Sequence, residues 1–138
     1  MIFKTPGLRL PQARSHNVIF LVTGHSRGAA VANLLSVMLN DDPNINKSRV
    51  FSYNFASPCV IKRNTKETEN GYENIFYINN LDDNLINYIP PDGNWMRYGK
   101  DILFPGGSVQ GVTGGAHRAE IYQKKINEGL PNGTRPLE

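Results

Sequence analysis

The sequence predicts an α/β fold built on a parallel sheet, and two observations carry that prediction. Short apolar runs alternate with helical patterns, as strand–helix–strand units require. One of those runs, residues 18–23, ends in Gly24-His25-Ser26-Arg27-Gly28 and passes at once into a helix-forming segment. A Gly-x-Ser-x-Gly turn between a buried strand and a helix is the nucleophile elbow, which lifts a serine hydroxyl clear of the sheet edge. Side chains at Gly24 and Gly28 are expected to collide where strand and helix approach. The helix start directs unpaired N–H groups and its positive dipole end toward the serine, where negative charge would develop.

Each element follows from the pattern. Residues 1–17 hold Pro6, Gly7 and Pro11 without apolar periodicity and read as an irregular arm. Residues 18–23 form a fully buried parallel strand. From 27 to 40, Val31, Leu34, Leu35 and Met38 share one helical face, the stripe by which a helix packs. Asn40-Asp41-Asp42-Pro43 stops that helix. Residues 50–56 and 75–79 are further strands, 85–89 a short helical turn before Pro90-Pro91, and 95–104 contain one more strand. Residues 105–115, with five glycines in eleven positions, form a loop. A helix from His117 to about Glu128 turns Ile121, Tyr122 and Ile126 inward and pairs Glu120 with Lys124 outside, before Gly129 and Pro131 end it. The division is therefore an arm (1–17), an α/β core (18–128) and a tail (129–138).

Composition narrows the class. At 138 residues the chain fits one domain with a core. A net charge of +3, with Lys and Arg scattered, leaves no nucleic-acid footprint. The single cysteine, Cys59, excludes an internal disulfide and reads as a small, partly buried thiol. No window approaches a membrane-spanning length, and no basic region followed by an apolar one opens the chain. The chain as it stands reads as cytoplasmic, or secreted if its start has been lost.

A serine hydroxyl needs a base to take its proton, and the base needs a group to hold its tautomer. The chain has three histidines. His16 lies in the arm, and His25, inside the elbow, would point away from the serine hydroxyl. His117 is the base by elimination. The acid is expected just past a strand, at the carboxyl edge of the sheet. Asp82 and Asp83 follow the strand 75–79 there, and only one of two neighbours can face His117. Asp92 and Asp101 are less well placed. The backbone N–H of Arg27 is the first oxyanion donor. The second comes in this architecture from a loop after an earlier strand, and almost nothing precedes residue 18.

Four blocks resemble the class 3 (fungal-type, triacylglycerol) lipase family: Thr23-Gly24-His25-Ser26-Arg27-Gly28-Ala29, Phe55-Ala56-Ser57-Pro58-Cys59-Val60, Asn80-Leu81-Asp82-Asp83-Asn84-Leu85 with Ile89-Pro90, and His117-Arg118-Ala119-Glu120-Ile121-Tyr122. The resemblance spans residues 18–126. It implies a partial α/β-hydrolase with the strand–elbow–helix at 18–40, and acyl-ester hydrolysis through an acyl-serine on Ser26. It also implies Asp83 as the aspartate, His117 as the base, and no metal or other cofactor. Arg27 stands where the family has leucine, and Ala29 where it has a second glycine. The run from Asp83 to Pro90 is about one residue longer than the family's, which keeps Asp82 as an alternative. The family's N-terminal half, with the second oxyanion donor and the lid, lies outside the resemblance. The implied partners are an acyl ester or lipid substrate and a lipid–water interface. Self-association through the open sheet edge is a further expectation. The alternative is a truncated or catalytically silent lipase-like module that binds protein.

Overall fold

The computed structural model describes residues 18–62, 71–86, 94–105, 107–108, 110–111 and 114–129. Four strands, β1 (Phe20–His25), β2 (Val50–Phe55), β4 (Ile75–Asn80) and β6 (Lys100–Phe104), form one sheet in the order β1-β2-β4-β6. All three pairings are parallel, as the strand–helix alternation predicts. The two-residue strands β3 (Ile61–Lys62) and β5 (Trp95–Met96) pair antiparallel as a separate ribbon. The 95–104 segment thus holds two strands, not one. The 85–89 turn falls partly outside the described residues, and the 1–17 arm wholly so.

Two helices cover opposite faces. Along β2, Val50, Ser52 and Asn54 are buried toward helix α1 (Arg27–Asp41), and the alternate Tyr53 and Phe55 turn to the other side. There they pack on a core of Ala56, Ile78, Ile86, Phe104 and Tyr122, the last contributed by helix α2 (Ala119–Glu128). Helix α2 starts two residues later than predicted, because Gly115–His117 winds as a 3-10 turn and Arg118 caps the α-helix.

Helix α1 departs most from the sequence-based expectation. The expected packing stripe is exposed: Val31 at 66%, Met38 at 63%, and Leu34 and Leu35 above 40%. The buried face is Ala29, Ala32, Asn33, Ser36, Leu39 and Asn40. Small and polar residues let the helix lie close to the sheet, provided each polar group is paired. Ser36 Oγ donates to Ser52 Oγ on β2 at 2.7 Å, and Asn54 Nδ2 donates to the same hydroxyl at 2.9 Å. Asn33 pairs both ways with Tyr98, donating to its carbonyl at 2.8 Å and accepting its N–H at 3.1 Å.

Two details of α2 also differ from expectation. Tyr122 is buried, but Ile126 is 44% exposed. Glu120 pairs with Arg118 at 2.9 Å, and Lys124 with Glu128 at 3.7 Å, so the Glu120–Lys124 bridge is not formed.

Candidate active site

The strands deliver their last residues to one edge. At the exit of β1, the Ser26 N–H donates to the Phe55 carbonyl at 3.0 Å. At the exit of β2, the Ala56 N–H donates to Ile78, and at the exit of β4 the Leu81 N–H donates to Phe104, each at 3.1 Å. Ser26 has φ 57°, in the left-handed region that an ordinary side chain avoids. Such strain at an elbow is held by its surroundings and exposes the side chain that carries it. Gly24 shows why the turn must be bare: a Cβ there would stand 2.4 Å from the Gly28 carbonyl oxygen. The expectation fails at Gly28, where a Cβ would meet nothing within 4 Å among the described residues. Gly28 offers its own backbone to Gly24, while its Cβ direction is open.

Three predicted residues meet at this edge. The Ser26 hydroxyl donates to His117 Nε2 at 2.7 Å, and His117 Nδ1–H donates to Asp83 Oδ2, also at 2.7 Å. The tautomer follows from the partners, since a carboxylate only accepts. Asp83 is 1% exposed, and its carboxylate takes two more donors: the Tyr122 hydroxyl at 2.9 Å on Oδ2 and the Leu85 N–H at 3.1 Å on Oδ1. Asp82 is exposed and accepts the Gly107 N–H instead, so the acid facing His117 is Asp83. Asp101 lies on β6 and accepts from Asn79 at 3.2 Å, away from the histidine. Asp92 and His16 fall outside the described residues. Arg27 is the first residue of α1, so its N–H lies outside the helix's own hydrogen-bond ladder, beside Ser26.

Three supporting residues at this edge carry no role in the sequence pattern. Tyr122 reads there only as an inward face residue, yet its hydroxyl joins Asp83 to the strand by also accepting the Asn80 N–H at 3.1 Å. Burial, first of all, and the neighbouring carboxylate push the Tyr122 hydroxyl well above its ordinary range, so it remains a donor. Asn80 is fully buried, and its amide donates to Gly107 and Ala116 carbonyls at 2.9 and 3.1 Å, closing the loop that carries His117 onto β4. His25, expected to point away from the serine hydroxyl, reaches the His117 main chain. A tyrosine five residues past the histidine and a polar strand-end residue are the sequence signals that could have found the first two.

Among the described residues no group of three or more His, Cys, Asp or Glu is placed to hold a metal, and no helix is long and apolar enough to cross a membrane. Cys59 is half-buried and free.

A parallel sheet flanked by helices, with a strained serine between strand and helix, defines a partial α/β-hydrolase fold. The family model described as Lipase (class 3) matches residues 7–92, and the chain belongs to that family. It is similar at 22% identity and a TM-score of 0.47 to the solved Rhizomucor miehei lipase propeptide complex, native, over 62% of this chain. The chain spans 28% of the length of that lipase chain. No curated protein matches it.

Proposed function

We propose that the chain carries the catalytic residues of a serine-dependent carboxylic ester hydrolase acting on lipid or related acyl esters. The observation that carries the reading is the continuous line from Tyr122 through Asp83 and His117 to Ser26, with both bonds of His117 at 2.7 Å.

The chemistry follows from the donors. Ser26 Oγ attacks the ester carbonyl as its proton passes to His117 Nε2, and Asp83 stabilises the imidazolium that forms. The carbonyl oxygen becomes an oxyanion beside the Arg27 N–H at the positive end of α1. Collapse expels the alcohol, which takes the proton from His117, and leaves the acyl group on Ser26. Water then attacks the acyl-serine with His117 again as base. In this architecture a second oxyanion donor comes from a loop after an earlier strand. Family membership supports the ester class, and the geometry supports the roles of Ser26, Asp83 and His117.

A fluorophosphonate probe tests the reading. The protein should label on Ser26 and hydrolyse a short-chain chromogenic ester, and Ser26→Ala should abolish both. Unchanged turnover in Ser26→Ala would remove the assignment.

One observation favours a second reading, a module that associates rather than hydrolyses. Among the described residues β1 is an edge strand, with Ile19 and Leu21 exposed, and Leu21 in register with Phe51 on the sheet face away from α1. Such an edge invites pairing with a second copy of the chain. Light scattering across a concentration series distinguishes the readings, since a strict monomer would exclude the second.

A further inference from the structure

Outside the Ser26–His117–Asp83 line, the same edge holds His25, the residue immediately before the serine. Its Nε2 lies 2.9 Å from the carbonyl oxygen of His117, and its ring centre lies 5.1 Å from that of His117 at a tilt of 49°. The His25 ring also meets the Tyr122 ring edge-on at 5.7 Å. A carbonyl oxygen only accepts, so Nε2 of His25 must carry the proton.

We propose that His25 is a positioning residue, its neutral ring clamping the main chain of His117 to the strand that carries Ser26. This deepens the hydrolase reading above and rests on it for the reaction served. The need is visible in the loop. His117 closes a 3-10 turn that follows glycine-rich chain, and Gly114 enters it in the left-handed region. Two consecutive carbonyls of the turn are gripped from two strands. The Ala116 carbonyl is held by Asn80 at the end of β4, and the His117 carbonyl by His25 at the end of β1. The second grip closes a ring: His25 is bonded to Ser26, Ser26 to the His117 imidazole, and the His117 backbone to His25. The distance between nucleophile and base is thus set within one dipeptide, and does not depend on the loop alone.

Neutral ring and imidazolium alike can donate the clamp bond, but the reaction favours the uncharged ring. A second imidazolium beside His117 would oppose the proton that His117 must accept. Burial, and then the neighbouring His117, hold the His25 pKa below its usual 6.5. The other groups that bear on it are Asp83, Glu120 and the Tyr122 hydroxyl. The bond to the His117 carbonyl first, then Asp83 and Glu120, pull its pKa the opposite way without reversing the shift. Glu120 is itself engaged by Arg118.

The test combines a spectroscopic and a kinetic readout on the full chain. In 15N-histidine NMR, His25 should be the neutral Nε2–H tautomer from about pH 7 to 8 and should titrate below 6.5. His25→Leu should broaden or abolish the His117 Nδ1–H resonance and slow fluorophosphonate labelling of Ser26 by about tenfold or more, the scale on which small misplacements cost rate. His25→Gln, which presents an N–H at similar reach, should recover most of both. Circular dichroism melting checks that each variant folds, and the wild-type tautomer is informative even if His25→Leu does not. An Nδ1–H tautomer, titration at or above 6.5, or equal behaviour of the Leu and Gln variants would overturn the proposal. If Ser26 never labels but the His117 resonance still depends on His25, the clamp stands and the hydrolase reading falls. Equal labelling of wild type and His25→Leu removes the clamp and leaves the hydrolase reading standing.

Discussion

Gly24→Ala is the sharpest perturbation available at the elbow. The added Cβ would lie 2.4 Å from the Gly28 oxygen, 2.5 Å from the Gly28 carbon and 2.7 Å from the Ala29 nitrogen. All three are backbone atoms of the first turn of α1, so no side chain can swing aside. Ordinary contact begins near 3.4 Å, so helix and strand must part by about 1 Å at the serine. Overpacking on that scale costs about 1–3 kcal/mol of stability. A displacement of about 1 Å between reacting groups costs roughly 100-fold in rate. Urea unfolding should therefore show a lower midpoint for Gly24→Ala, and fluorophosphonate labelling of Ser26 should slow by about two orders of magnitude. Gly28→Ala is the control. Its Cβ enters open space within a helix, where alanine replaces glycine with a gain of up to about 1 kcal/mol. Equal destabilisation by the two substitutions, or an unchanged urea midpoint in Gly24→Ala, would refute the steric reasoning.

Three further outcomes are expected. Asp83→Asn should lower Ser26 labelling by about 10³-fold or more, because the amide cannot hold the His117 tautomer, whereas Asp82→Asn should stay within about threefold of wild type. Asn33→Ala should cost about 1–3 kcal/mol in urea unfolding, since it leaves both Tyr98 backbone groups without that partner, while Met38→Gln on the exposed face should stay within about 0.5 kcal/mol. Alkaline stability should fall as pH rises from about 10 toward 12. Burial and the bond to Asp41 push the Tyr72 hydroxyl up to about 12, so above pH 10 the unfolded chain binds fewer protons than the folded one. Tyr72→Phe should flatten that part of a urea-midpoint profile, and an unaltered slope would count against the assignment.

The positions of the strands and the elbow are legible in the sequence because their signals are local: an apolar run, a glycine, a serine, a helix start. But β1, read as fully buried, lies at the sheet edge among the described residues with Leu21 exposed, because only one neighbouring strand covers it. The order of Ser26, Asp83 and His117 is legible too, and the structure brings those three side chains together. The helix face is not. Periodicity finds an apolar stripe on α1 but cannot tell which side the sheet occupies, and here the sheet lies against Asn33, Ser36 and Asn40. Those residues are buried because partners on β2, at Asn74 and at Tyr98 satisfy them, which is tertiary information. The supporting roles of Tyr122 and His25 are hidden for the same reason, since their hydrogen bonds cross 39 and 92 residues of sequence. Gly28 differs from expectation because a motif presents its two glycines alike, although only Gly24 has its Cβ direction aimed at backbone.

The bonds at the strand exits have an evolutionary consequence. Ser26 hangs from Phe55, Ala56 from Ile78, and Leu81 from Phe104, so each exit is tied to the next strand along the sheet. A residue inserted within β2 would move the anchor of the serine and the geometry of its own exit together. A residue inserted within β4 would disturb both Ala56 and the approach to Asp83. Length changes are therefore poorly tolerated inside any of these strands and far better tolerated in the connections that enter them from the opposite end. Homologous chains should show their insertions at the entries to β2 and β4, and keep the spacing from strand to exit constant.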